Sequence, residues 1–94
     1  MTRGDVYWFD LEPTIGSELR KTRPCVVVQR ITSDSSPVVI VCPIAAARGR
    51  AGNLLNPAIP AGIAGMTKES RVAVHQLRSV DKARIVGAHA GSLA

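Results

Sequence analysis

The sequence predicts a mainly β domain, a small barrel or curled sheet of about four to six short strands. Two observations predict it. Runs rich in β-branched and aromatic residues recur along the chain, and turn-forming Gly, Pro, Ser and Asp separate them every few residues. The length of 94 residues allows one domain, residues 1–94, near the small end of what folds on a single core. No internal repeat or linker divides it. A domain of this size often completes its core by dimerising.

Gly4 opens the first strand, Asp5 to Leu11. Alternation puts Val6 and Trp8 on one face and Tyr7, Phe9 and Leu11 on the other, so both faces need cover. Pro13 ends it, and Glu12 to Arg23 forms a polar loop. Within that loop, Gly16 to Pro24 gathers one acid, Glu18, and the cations Arg20, Lys21 and Arg23. Pro24 biases Arg23 toward an extended backbone and is tolerated at a strand's first position. Arg23 is therefore expected at the lip of the second strand, Cys25 to Ile31, well fixed to meet a phosphate or carboxylate. A solvated hairpin loop explains the same charges. Ser33 to Pro37 is a turn, and Val38 to Ile44 a third apolar strand that forms an antiparallel hairpin with the second. Pro43 predicts a bulge or an exit from the ladder.

Ala45 to Asn53 is small and basic and reads as a loop. Leu54, Leu55 and Ile59 suggest a short strand broken by Pro57. Arg71 to Leu77 reads as one strand, with Val72, Val74 and Gln76 on one face and Arg71, Ala73, His75 and Leu77 on the other. Ser79 suits the N-cap of a short helix ending near Val86, because Gly87 follows. The tail from Ala88 allows one last short strand.

Twelve basic against seven acidic residues give a net charge of +5, which favours an anionic partner, nucleic acid or an acidic protein segment. Cys25 and Cys42 lie in apolar runs and read as buried free thiols of a reducing compartment. No apolar run approaches the ~18 residues of a membrane span. The first residues lack a signal-peptide core, so the expectation is a soluble cytoplasmic protein without a membrane partner.

Five blocks carry a family resemblance: Arg3 to Trp8, Asp10 to Thr14, Gly16-Ser17-Glu18, Thr22 to Val28 and Gln76 to Arg84. In this order they resemble the MazF/PemK toxins. The resemblance implies an SH3-like barrel of the CcdB/MazF type with one or two short helices. It implies a homodimeric, metal-independent endoribonuclease that cleaves single-stranded mRNA sequence-specifically, needs no cofactor and is blocked by a cognate antitoxin. The chemistry implied is attack of a ribose 2′-hydroxyl on phosphorus, giving a 2′,3′-cyclic phosphate and a 5′-hydroxyl. Such a reaction needs a base, an acid and a cation facing the charge that grows on phosphorus. Arg23 falls on the family's essential arginine and Glu18 on its loop glutamate; both equally suit a surface ion pair. Gln76 and Arg78 lie in a matched motif. With Ser17, Lys21, Thr22, Arg48 and Asn53 they are the candidate RNA contacts, although a lone surface cation is ordinarily just solvated. Trp8 suits stacking on a base or, more simply, packing in the core or a dimer interface. His89 receives no role.

Three departures qualify the resemblance. Many relatives carry Thr or Ser after the Pro-Ile of the third strand, where this chain has Ala45, so a hydroxyl implicated in the phosphate site is missing. His75 stands where relatives usually carry an acid; it either replaces that acid or is a hydrogen-bonded strand histidine. Relatives continue with a C-terminal helix where this chain stops, which reads as a naturally short form or a truncated one. Ala45 supports a second hypothesis, a relative that binds RNA or antitoxin without cleaving. A gyrase poison on the same fold is disfavoured, because its C-terminal tryptophan has no counterpart in Gly91 to Ala94.

Overall fold

A computed structural model of the chain describes residues 1–12, 21–30, 36–46 and 57–93. Among them are seven strands: β1 (Asp5–Asp10), β2 (Thr22–Val27), β3 (Val38–Ala46), β4 (Ala58–Ile59), β5 (Ser70–Val72), β6 (Arg78–Asp81) and β7 (Gly91–Ser92). They join in one curled antiparallel sheet of order β4-β5-β3-β2-β1-β7, with β6 also pairing with β3. The predicted mainly β architecture is therefore present, and the helices among the described residues are two single 3₁₀ turns, Val74–Gln76 and Lys82–Arg84.

The registers explain the two-sided core. Tyr7 faces Cys25 and Phe9 faces Arg23 across β1–β2, while Cys25 faces Pro43 and Val27 faces Val41 across β2–β3. Partners in register share a face of the sheet. One face thus collects Phe9, Leu11, Cys25, Val27, Val39, Val41 and Val80. The opposite face collects Val6, Val26, Cys42, Ile44, Ile59, Ala64, Met66 and Val72. The alternation read in β1 holds, except that Trp8 is 40% exposed and so is not a core residue. Both cysteines are buried and free.

Several boundaries differ from the sequence reading, among them the ends of β1, at Asp10 rather than Leu11, and of β2, at Val27 rather than Ile31. β2 begins at Thr22, so Arg23 and Pro24 lie inside the strand, because β1 extends far enough to pair with both. Pro24 is accommodated there because the β2–β3 pairing starts only at Cys25, leaving its missing N–H without a ladder to serve. β3 runs on through Pro43 to Ala46 and changes partner along the way, from β6 over Val38–Val41 to β5 over Ile44–Ala46. This is the exit from a ladder that Pro43 signalled.

The stretch read as one strand, Arg71 to Leu77, breaks after Val72 into a 3₁₀ turn that exposes Val74. The Ala73 N–H bonds Pro43 O (2.8 Å) instead of continuing the ladder. The helix expected from Ser79 is instead strand β6 followed by a 3₁₀ turn, and the capping side chain is Asp81, which accepts from Ala83 N at 2.8 Å. The run Val38–Val41, whose Val39 and Val41 are buried, needs a partner ladder, and Arg78–Asp81 supplies it. β4 and β7 match the weak strand signals near Ile59 and in the tail; Leu54 and Leu55 lie outside the described residues.

The tail is fixed by close backbone packing. A Cβ on Gly91 would stand 2.4 Å from the Ala64 carbonyl carbon, and one on Gly65 (φ +79°) 2.4 Å from Ala90 O. Only hydrogen at both positions lets segment 60–67 lie against β7. The N–H groups of Ala90 and Leu93 bond Val6 O and Gly4 O, each at 2.8 Å.

Candidate functional site

The site is built around the start of β2. Leu11 N–H donates to Lys21 O (3.0 Å), and Lys21 N–H donates to Glu12 Oε1 (3.1 Å). Lys21 has a left-handed backbone, φ +70°, which a non-glycine residue adopts at a cost of about 1–2 kcal/mol. From the 3₁₀ turn Lys82–Arg84, Arg84 Nη1 donates to Asp10 O at 3.3 Å and also to Glu12 O. The polar residues Glu12 and Arg84 thus fix the backbone that leads into Thr22 and Arg23. Neither was singled out from sequence, because a hydrogen bond between positions 72 residues apart leaves no local signal.

Arg23 is half-buried beside Phe9 and lines a groove of about 290 Å³ with Trp8, Thr22, Ala45, Thr67 and Lys68. Trp8, Thr67 and Lys68 enter the groove through the fold, from β1 and from the segment before β5. Arg78 lies opposite Val41 on β6, hence on the same face as Cys25 and Arg23. Both guanidiniums act on the Cys25 thiol. Burial pushes that thiol up to about 12, and the nearby Arg78 and Arg23 charges offset burial only in part. Its Sγ donates to Arg23 O at 3.6 Å.

His75, exposed, and Gln76, half-buried, sit on the 3₁₀ turn that docks on β3 through the Ala73–Pro43 bond. Pro43 is two residues from Ala45, so this turn and the groove meet the same end of β3. Lys21 and Thr22 are exposed at the entrance to β2. The structure therefore gathers Arg23, Arg78, His75, Gln76, Lys21 and Thr22 around β2 and the far half of β3. Glu18, Ser17, Arg48 and Asn53 lie outside the described residues. Among the described residues, His, Cys, Asp and Glu form no group of three or more that could hold a metal ion. No helix among them is long and apolar enough to cross a membrane.

Comparison with known proteins gives a consistent result. A family model described as "PemK-like, MazF-like toxin of type II toxin-antitoxin system" matches residues 2–94. The chain is similar to endoribonuclease EndoA of Bacillus subtilis (strain 168), 38% identical over 84 residues that cover 88% of this chain and 72% of that protein. It is also similar to endoribonuclease MazF of Staphylococcus saprophyticus, 37% identical over 86 residues that cover 90% of this chain and 72% of the relative.

Proposed function

We infer the activity from one premise: the chain belongs to the PemK-like, MazF-like toxin family of type II toxin–antitoxin systems. It is an endoribonuclease, the toxin of such a module. Its substrate is single-stranded mRNA, cut at a recognition sequence without a metal ion. Its partners are a cognate antitoxin that inhibits it and a second copy of the chain, and its compartment is the cytoplasm.

In the proposed reaction a ribose 2′-oxygen attacks the adjacent phosphorus and the bond to the 5′-oxygen breaks. The products are a 2′,3′-cyclic phosphate and a 5′-hydroxyl. Glu18 takes the 2′-hydroxyl proton and His75 returns one to the leaving 5′-oxygen. Arg23 holds the negative oxygens on phosphorus through its two-pronged guanidinium. Arg78, Gln76, Lys21, Thr22, Ser17, Arg48 and Asn53 contact the strand on either side. The observation that carries this reading is Arg23: an arginine inside a strand, half-buried, lining a groove with Lys68 and sharing a face with Arg78. A cation fixed by its backbone is preorganised for a charge that develops during reaction. Ala45, in the same groove, favours a second reading, a relative that binds RNA or antitoxin and cleaves poorly.

The test is cleavage of a long single-stranded RNA in EDTA with end-group analysis. Wild-type protein is expected to yield cyclic-phosphate and 5′-hydroxyl ends. Arg23→Ala is expected to lose about 10²–10³-fold in rate, and His75→Ala about 10²-fold or more, with unchanged melting temperatures. Binding without cleavage by the wild type would select the second reading.

A further inference from the structure

Arg71 lies in a cross-strand row that the reaction proposed above does not use. On β5 it stands opposite Ala45 of β3 on one side and Ala58 of β4 on the other. Residues paired in register put their side chains on the same face, with Cβ atoms about 4.5–5.5 Å apart. Its half-buried side chain therefore runs between two methyl groups. The β2–β3 register pairs Cys25 with Pro43. Continued by two residues, it brings Arg23 to the other side of Ala45, and Arg23 and Ala45 do line one groove. The row thus reads Arg23, Ala45, Arg71: two guanidiniums on the strands either side of β3, flanking the smallest side chain that has a Cβ.

Arg23 and Arg71 stand two strand spacings apart, about 9–10 Å, so a ligand shared between them must be an anion with acceptors on both sides. Methyls at positions 45 and 58, the register partners of Arg71, put no bulk beside it, and Lys68 joins Arg23 as a second cation of the groove that Ala45 lines. A tetrahedral phosphate matches the requirement, since it offers oxygens to two guanidiniums at once. Resting on the ribonuclease reading, we propose that Arg71 is a second phosphate-binding arginine of this site. It grips the RNA backbone across Ala45 from Arg23 and supplies the contact that a methyl at position 45 cannot.

The experiment compares wild type, Arg71→Gln, Arg71→Lys, Ala45→Ser, and Arg71→Gln combined with Ala45→Ser. Each is measured by cleavage of long single-stranded RNA in EDTA, by the salt dependence of binding to the fully 2′-O-methylated form of that RNA, and by thermal melting. Arg71→Gln is expected to lower cleavage at least about tenfold while keeping or raising the melting temperature. The slope of log affinity against log salt should become shallower by about 0.7, the value for one lost phosphate contact on a single strand. Arg71→Lys should keep part of the activity, and the added serine hydroxyl should restore part of what Arg71→Gln loses, a non-additive outcome that a merely structural arginine would not produce. An active wild type beside an equally active Arg71→Gln overturns this proposal alone, as does a loss fully explained by lowered melting temperature. A wild type that binds RNA but does not cut overturns the ribonuclease reading; the salt slope then decides, and an unchanged slope in Arg71→Gln overturns the role of Arg71. No binding by any form overturns both.

Discussion

Cys25 lies within reach of two guanidiniums and still remains a thiol at neutral pH. Burial outweighs the Arg78 and Arg23 charges, and the Cys42 sulfur adds to the upward push, raising Cys25 to about 12. The folded state therefore keeps this proton while the unfolded thiol, near its ordinary value of 9.0, releases it. Stability is full below pH 9 and falls as pH rises from there toward 12, by up to about 1.4 kcal/mol per pH unit for this group. Cys42 is displaced in the same direction by burial. Urea denaturation between pH 8 and pH 11 should show that decline, and Cys25→Ala should flatten it by one proton's worth. A wild-type profile as flat as the variant's would contradict the assignment. In the folded protein at pH 7.5 neither thiol should react with an alkylating reagent. Position 25 was legible as buried because it opens an apolar run. Arg71 was legible as a strand residue, but its partners Ala45 and Ala58 lie on other strands and leave no local signal.

Elements depend on partners that local patterns do not name. Ser79 resembled an N-cap because a short hydroxyl side chain preceded a helix-tolerant stretch. The same residues are a strand because the apolar run Val38–Val41 needs a ladder on that side, and the cap falls to Asp81. β2 and β3 were readable because each carries a continuous apolar run, Cys25 to Val27 and Val38 to Cys42. β4 and β7, two residues each, are held by backbone contacts rather than by composition. The glycine contact makes this measurable. Gly91→Ala would force a Cβ to 2.4 Å from the Ala64 backbone, where no flexible side chain can yield. It should cost about 1–3 kcal/mol, the range for overpacking. Gly87 serves as the control: its φ of +76° makes alanine strained, but nothing lies within 4 Å of the added Cβ, so about 1 kcal/mol should be lost. Equal losses in urea melts would mean that the tail is not packed as described.

At the scale of the molecule, β1 and β7 bring residues 4–6 beside residues 90–93, and Asp5 adds side-chain bonds to this closure. Its Oδ2 accepts from Thr2 N–H (2.9 Å) and the Thr2 hydroxyl (3.1 Å), and its Oδ1 lies 3.4 Å from His89 Nε2. Burial would raise the Asp5 carboxyl, but Thr2 and His89 together hold it below the ordinary carboxylate value. This small contribution is present above that value and is lost as the solution is acidified below it. The site divides by the same logic. Arg23, Arg78 and Gln76 were recognisable as candidates because they stand in matched blocks, and His75 because it departs from the family pattern beside one; strands carry Arg23 and Arg78 to one face. Glu18, Ser17, Arg48 and Asn53 belong to segments outside the described residues, so their roles rest on resemblance alone.

The strand shared by three ladders has a consequence for the motions of the chain. β3 pairs with β2, β5 and β6, and every described strand other than β7, β4 and β1 depends on it directly. Local openings that free β4 or β7 can leave it paired, whereas freeing β3 dissolves both core faces at once. Amide hydrogen exchange should therefore be slowest for Val39 to Cys42, at rates set by global unfolding, and fast for Ala58, Ile59, Gly91 and Ser92. Slowest exchange in β7 would place the cooperative unit at the closure of the termini instead. The groove holding Arg23 and Ala45 is built on this slowly opening strand. Its geometry would then persist through the fluctuations that loosen β4 and β7, a rigid anvil beneath a softer rim.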